Sequence, residues 1–297
     1  MRPVRKWPKQ ARVRLSRAGG AARWSARRAT SRQRPLPDFL VIGAPKSGTT
    51  SLYEYLCTHP LVCRPSTKEV NFFAFHFDRG VPWYRAHFPI RHARSLVEHR
   101  LGRQTLTGEA SPAYFFHPVA AERAASVLPD AKLVAILRNP VDRAISAYHW
   151  AVSNRREHRP MEEAFADAFH RLGADEPQSD HDDARGHLRR SYVRRGHYAE
   201  QLERWYRFYD PSRLLVVETT QLTRTGGGGF DRVLEFLGLP PWRPPTFVEH
   251  LAGSYPPADP ALREQLARHY EPHNAALYRL LGVDWRFEST PLSGREP

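Results

Sequence analysis

The sequence predicts an α/β fold, a single domain with a central parallel sheet flanked by helices. Three short runs, FLVI at 39–42, KLVAIL at 132–137 and RLLVVE at 213–218, are continuously apolar and rich in β-branched residues, as strands buried on both faces are. The first two run straight into a loop and then into apolar residues at helical spacing, and strand–loop–helix units repeated along a chain imply parallel strands joined by crossover helices. No internal repeat or low-complexity boundary divides the interior. Ligands of such sheets bind at the carboxyl ends of the strands.

In chain order, strand 39–42 is followed by a small-residue loop over 43–49 and a helix from Ser51, with Leu52, Tyr55 and Leu56 on one face. Pro60 and Pro65 mark a loop, and the aromatic stretch KEVNFFAFHFD at 68–78 reads as a buried edge or loop packed on the core. Residues 81–89 read as a short helical turn opened by Pro82 and closed by Pro89. The segment 107–116 begins extended and is broken by Pro112, and a helix follows over 117–128. After strand 132–137, Pro140 suits the first turn of a helix carrying Val141, Ile145, Tyr148 and Val152. A helix is expected over 161–172, a mobile loop or lid over 173–186 and a helix over 192–209 with Tyr198, Leu202, Trp205 and Tyr206 on one face. Beyond strand 213–218, four glycines at 226–229 read as a flexible connection. A helix over 230–237 is stopped by Gly238 and Pro240, and a proline-rich loop leads to an amphipathic helix over 260–281.

A chain of 297 residues that is 41% hydrophobic and 11% aromatic can bury a sizeable core. Its net charge of +14 suggests an anionic partner, but twelve Lys and Arg and no acid fall within residues 1–35, so the remainder is nearly neutral. Residues 1–35 read as a basic, solvated, disordered arm; they lack the aromatic interleaving of a nucleic-acid-binding segment, although a membrane-surface role or an organellar transit peptide fits the same composition. Residues 36–288 form the folded domain and 289–297 a tail. No apolar run reaches even signal-peptide length, so neither a secretory signal nor a transmembrane anchor is expected. Cys57 and Cys63 fit neither a disulfide framework nor a four-ligand zinc site, which points to a reduced, cytoplasmic setting.

The chemistry concentrates in the loop after the first strand. A strand, a glycine turn and a helix N-terminus aim backbone N–H groups and the positive helix end at one spot, a cradle for phosphate or sulfate. Gly43 and Gly48 have the spacing of a nucleotide P-loop, but Thr49 and Thr50 follow where Lys and Ser/Thr belong, and the lysine, Lys46, lies inside the loop. The fold is therefore P-loop-like, without the Gly-Lys-Ser/Thr ending that binds magnesium in a nucleotide P-loop.

PKSGTT behind a strand resembles the 5′-phosphosulfate loop of the sulfotransferases that use 3′-phosphoadenosine 5′-phosphosulfate (PAPS). Across 38–285 the chain is most similar to their carbohydrate, heparan-sulfate-type branch. KEVNFF with VPWYRAHFP resembles its EPHFF segment and G-x-x-WY-x-x-x-FP continuation, GEASPAYFFHP its EK-[Thr/Ser]-P-x-Y-F segment, and LRNPVDRAISAYHW its RNP-x-x-R-A-x-S-x-Y segment. The resemblance implies transfer of a sulfuryl group from PAPS, without a metal and with 3′-phosphoadenosine 5′-phosphate (PAP) as product. The acceptor is a hydroxyl, or less readily an amine, of a carbohydrate or another small molecule or glycoconjugate. Lys46 would stabilise the leaving phosphate, with Ser47, Gly48, Thr49 and Thr50 adding donors. Arg138 and Ser146 would hold the 3′-phosphate, helped by Arg195 and Gly196 of an R-x-G-x-Y segment that begins at Arg194. Glu69 matches the general base, and Glu109, on a loop expected to face the same cleft, competes for that role. Arg143 fits a surface helix position as well as a binding one, and His76 and His149 are weaker bases beside aromatics.

Departures from the branch are Ala110 for the lysine after its glutamate, Asn71 and Ala74 for the His and Asp of EPHFFD, and a late loop at 249–259 without Lys or Arg. They leave the acceptor open, as the oligomeric state is. An ATP-dependent P-loop kinase or ATPase, and a non-catalytic binding protein acting through its basic arm, are the rival readings.

Overall fold

A computed structural model describes residues 20–173, 191–223, 228–243, 255–283 and 285–287. Four strands, β1 (Phe39–Gly43), β2 (Gly108–Ala110), β3 (Lys132–Leu137) and β4 (Leu214–Glu218), form one parallel sheet in the order β2-β1-β3-β4. Leu40 pairs with Glu109 on one side and Leu133 on the other, and Ile136 pairs with Val217. The short β2 was read from sequence only as an extended segment, because three residues ended by Pro112 carry little periodic signal.

Side chains alternate across a strand, so an all-apolar strand feeds two cores at once. Leu40, Ile42, Leu133, Ala135 and Leu137 point to one face, with Leu202, Trp205, Leu277 and the Phe72, Phe73 and Tyr84 rings. Phe39, Val41, Val134 and Ile136 point to the other, with Leu52, Leu56, Phe230, Val233 and Leu234. The helices concerned are α1 (20–29), α2 (Thr49–Thr58), α3 (Phe72–Phe75), α4 (Gly80–Arg85), α5 (Arg91–Leu101), α6 (Ala120–Val127), α7 (Pro140–Ser153), α8 (Met161–His170), α9 (Tyr198–Tyr206), α10 (Thr219–Thr223), α11 (Gly228–Leu237) and α12 (Pro260–Leu281). A third apolar cluster joins α7, α8 and α12 through Ile145, Tyr148, Phe165, Leu266 and Tyr270. Among the described residues no helix is long and apolar enough to cross a membrane.

Four readings of the sequence are corrected. Residues 20–35, assigned to a disordered arm, are ordered: the Arg27 guanidinium donates to the carbonyls of Ala86 (2.6 Å), His87 and Phe88 (both 2.9 Å), and Arg34 donates to Phe88 O at 2.7 Å. Those carbonyls lie just past α4, where a helix end leaves acceptors without intrahelical partners. Here the arginines anchor the chain instead of repelling it from the fold. Residues 1–19 lie outside the described residues.

Helix α5 was missed because it has no buried residue and no apolar stripe; Arg94, 3.2 Å from Asp38 Oδ2, and Glu98, which accepts from Thr105 N and Oγ1, hold it by polar contacts. The helix expected over 192–209 is α only from Tyr198. Before it stands a 3-10 turn, Arg194–Gly196, where a Cβ on Gly196 would come within 2.5 Å of the Tyr270 ring. Of the four-glycine connection, Gly228 and Gly229 belong to α11. Gly229 approaches Gln221 O so closely that a Cβ would lie 2.6 Å from it. Residues 226–227, the loop expected over 173–186 beyond residue 173, and the late loop up to residue 254 fall outside the described residues.

Loss of the Arg27 contacts is expected to be felt by the whole domain. Arg27→Ala should lower the free energy of urea unfolding by about 1–3 kcal/mol, read as a lower midpoint at unchanged slope.

Candidate active site

Strand β1 delivers the glycine loop to the carboxyl edge of the sheet. Gly43 packs so tightly that a Cβ would come within 2.3 Å of Phe115 Cβ, and Gly48 enters α2 with φ 96°, a conformation natural only to glycine. Lys46 also holds a positive φ of 71°. The loop is tied to the neighbouring strands: Ala44 N donates to Ile136 O at 2.7 Å, and Thr219 Oγ1, just past β4, lies 2.7 Å from Ser47 O and 3.0 Å from Leu137 O. Thr219 was not singled out from sequence; its signal is only its place as the first residue after a buried strand.

Strand β3 delivers Arg138 to the same edge. Asn139 then caps α7, its Oδ1 accepting from Val141 N at 2.9 Å, and Pro140 fills the first helical position, so R-N-P turns the chain from strand to helix in three residues. Tyr198 OH donates to Arg138 O at 3.0 Å, which docks α9 on this turn. The Lys46 ammonium is pushed below its ordinary range by burial and then by the positive charge of Arg138.

Ser146 and Arg143 are both buried on α7. Arg143, which the sequence left between surface and site, is fully inside; it donates through Nη2 to Tyr192 O, while its Nε and Nη1 have no partner among the described residues. Arg195, from the 3-10 turn, lies over the Phe116 ring with its guanidinium carbon 5.2 Å from the centroid. Burial first, and then the Arg143 charge, push Arg195 down to about 9. Among the described residues none of Lys46, Arg138, Arg143 and Arg195 has a carboxylate partner. Buried cations without counter-charge are costly, so this cluster fits an anionic ligand such as a phosphorylated nucleotide.

The two carboxylates separate sharply. Glu69 is half-exposed, 3.2 Å from Lys68 Nζ, and Lys68 in turn donates to Thr50 Oγ1 at 2.6 Å, so Glu69 stands beside the start of α2. Glu109 does not face the cleft as expected. It is fully buried in β2 and accepts from Ser111 Oγ (2.6 Å), Tyr84 OH (2.7 Å), Tyr114 OH (2.8 Å) and Val70 N (3.3 Å). Strand alternation turns it into the core, where burial raises its pKa against the pull of these donors. With Ser111 Oγ accepting from Asn71 N at 2.9 Å, Glu109 fixes the backbone that follows Glu69, which makes it a positioning residue. Asn71 itself takes the left-handed conformation, φ 53°. His76, beside Trp83, and His149, stacked 4.2 Å from Tyr255, are aromatic packing partners.

The parallel sheet and the glycine loop at its carboxyl edge give a P-loop-like α/β fold. The chain belongs to the sulfotransferase family: the model of the Sulfotransferase domain matches residues 36–288. It is 32% identical to human bifunctional heparan sulfate N-deacetylase/N-sulfotransferase 3 over 87% of this chain but only 31% of that protein. It is 30% identical to mouse heparan sulfate glucosamine 3-O-sulfotransferase 6 over 86% of this chain and 75% of that protein. A solved sulfotransferase from Alicyclobacillus acidocaldarius superposes with a TM-score of 0.63 at 30% identity, covering 85% of this chain and 99% of that one. The chain thus spans about a third of the first relative's length. Within that family it is similar to the carbohydrate branch.

Because Tyr114 helps hold the charged form of Glu109, Tyr114→Phe should cost about 1–3 kcal/mol of stability at neutral pH. Glu109 has a raised pKa in the fold, so the loss should shrink on acidification through that pKa, where the neutral acid needs fewer donors. Urea melts at neutral and acidic pH, compared between the variant and the parent chain, check the sign.

Proposed function

We propose that the chain transfers a sulfuryl group from PAPS to a hydroxyl, or less readily an amine, of a carbohydrate or other small glycoconjugate acceptor. The observation that carries this reading is the cluster of Lys46, Arg138, Arg143 and Arg195, cations without carboxylate partners among the described residues, beside a loop whose amides and hydroxyls face the same edge. These groups fit a donor with phosphate at both its 5′ and 3′ positions.

PAPS would supply an activated sulfuryl group on a phosphate leaving group. Lys46, with the amides and hydroxyls of Ser47, Gly48, Thr49 and Thr50, would hold the 5′ side and offset the charge that gathers on the departing phosphate. Arg138 and Ser146 would hold the 3′-phosphate, the guanidinium bidentately, with Arg195 and the close-packed Gly196 turn closing over it. Glu69 would take the acceptor proton, its half-exposed carboxylate being open to solvent where Glu109 is sealed. Lys68, held between Thr50 and Glu69, would keep that carboxylate aimed. Positioning and charge stabilisation are the main contributions a protein makes to such an in-line transfer. Heparan sulfate acceptors belong to the relatives; Ala110, Asn71 and Ala74 are the positions at which this chain's acceptor would differ.

Calorimetric titration with PAP, without added metal, tests the donor site. Arg138→Ala should weaken PAP about 10- to 100-fold through loss of charge-assisted hydrogen bonds. Glu69→Gln should bind PAP like the parent chain while turnover falls about 10²- to 10⁴-fold, and Lys46→Ala should lower kcat about 10²- to 10³-fold. Binding of ATP with Mg²⁺ in place of PAP would establish the kinase reading instead. PAP binding lost on removal of residues 1–19, but indifferent to Lys46 and Arg138, would establish a binding protein that acts through its arm.

A further inference from the structure

The donor-site reading makes no use of a histidine cluster on the far side of the Arg194–Gly196 turn. His197 follows that turn directly, and His269 and His273 lie on one face of α12 at i, i+4 spacing. His197 Nε2 is 2.8 Å from His269 Nε2, and the His197 and His273 rings stack with centroids 3.6 Å apart and planes within 9°. Each ring offers a nitrogen within 4.8 Å of those of the other two. Glu200 Oε1 lies 3.3 Å from His197 Nδ1 and 3.6 Å from His273 Nδ1, which leaves the Nε2 atoms of both rings free of that carboxylate.

Two imidazole nitrogens at 2.8 Å cannot both present lone pairs to each other; they need a shared proton or a shared Lewis acid. A tetrahedral cation bound at about 2.0–2.1 Å by imidazole separates its nitrogens by about 3.3 Å, inside the range this cluster spans; because a bound cation lies in the plane of each ligating ring, His197 or His273 must turn out of their stack for the three to share one shell. A carboxylate on the remote nitrogen is the usual way a ligating histidine has its tautomer and orientation fixed.

We propose that His197, His269 and His273 form a binding site for a first-row divalent cation of the zinc type, with Glu200 as the outer carboxylate that orients them. The three rings come from two elements 72 residues apart, joined here at one point. The cation pins the turn that bears Arg195 and Gly196 to α12. The site borders the turn that the proposed function places at the 3′-phosphate, but its test does not depend on that assignment. The sequence reading expected no metal ligand, and H-x-x-x-H within α12 was the one visible sign.

The test uses the untagged full-length chain, stripped with chelator, titrated with Zn²⁺ by calorimetry and with Co²⁺ by visible absorption. The expected result is one tight site per chain, cobalt bands of a nitrogen-rich tetrahedral centre and a thermal midpoint raised by zinc. His269→Ala and His273→Ala should each weaken zinc by more than the roughly 100-fold that loss of an outer-shell partner costs, and should abolish the thermal shift. His269 packs edge-on against Phe169, so if His269→Ala does not fold by circular dichroism without metal, the half-exposed His273 decides through His273→Asn. Absence of tight zinc binding by the parent chain overturns the proposal. So does parental affinity in the His273 variant, which would place the ion on Cys57, Cys63 or other histidines. Both results are read from the metal alone, so neither depends on PAP binding.

Discussion

The tie between the glycine loop and the ends of β3 and β4 is the contact on which the site depends. Thr219 Oγ1 sits between Ser47 O and Leu137 O, and Ala44 N reaches Ile136 O, so the loop is registered against two strands rather than hanging from one. A loop of small residues would otherwise sample many conformations, and its amides would not converge. The sheet supplies rigidity, because Phe39 and Val41 lock one face while Leu40 and Ile42 lock the other.

That rigidity allows cations to be held where charge alone would scatter them. Arg143 is fully buried with two guanidinium nitrogens unpaired among the described residues, Arg195 is pushed well below its ordinary pKa, and Lys46 is lowered by burial and by Arg138. A buried cation without an anion costs folding energy, so under the proposed function donor affinity and domain stability would be linked. The N-terminal arginines follow the opposite logic. Arg27 and Arg34 bind backbone carbonyls past α4, and their charge serves the fold, not a ligand.

The two glutamates show one residue type in two environments, one inside the sheet and one on an exposed segment. Glu109, turned inward on β2, gathers four donors and fixes the Val70 and Asn71 backbone; Glu69, just before them, is left half-exposed. A buried carboxylate saturated with donors orders its surroundings, whereas a solvent-facing one can exchange a proton.

The sequence by itself determined β1, β3 and β4, the glycine loop, the R-N-P turn and α12, because each is written in a local pattern: continuous apolar runs, small turn residues, a proline at the first helical position. It also determined the family, through several motifs in fixed order. Tertiary structure alone decided that Glu109 is buried, that Arg143 is internal, that Thr219 anchors the loop, that residues 20–35 are ordered, and that His197 meets His269 and His273. In each case the deciding contact joins residues far apart in the chain or depends on which face of a strand or helix packs inward, and no local spacing encodes either.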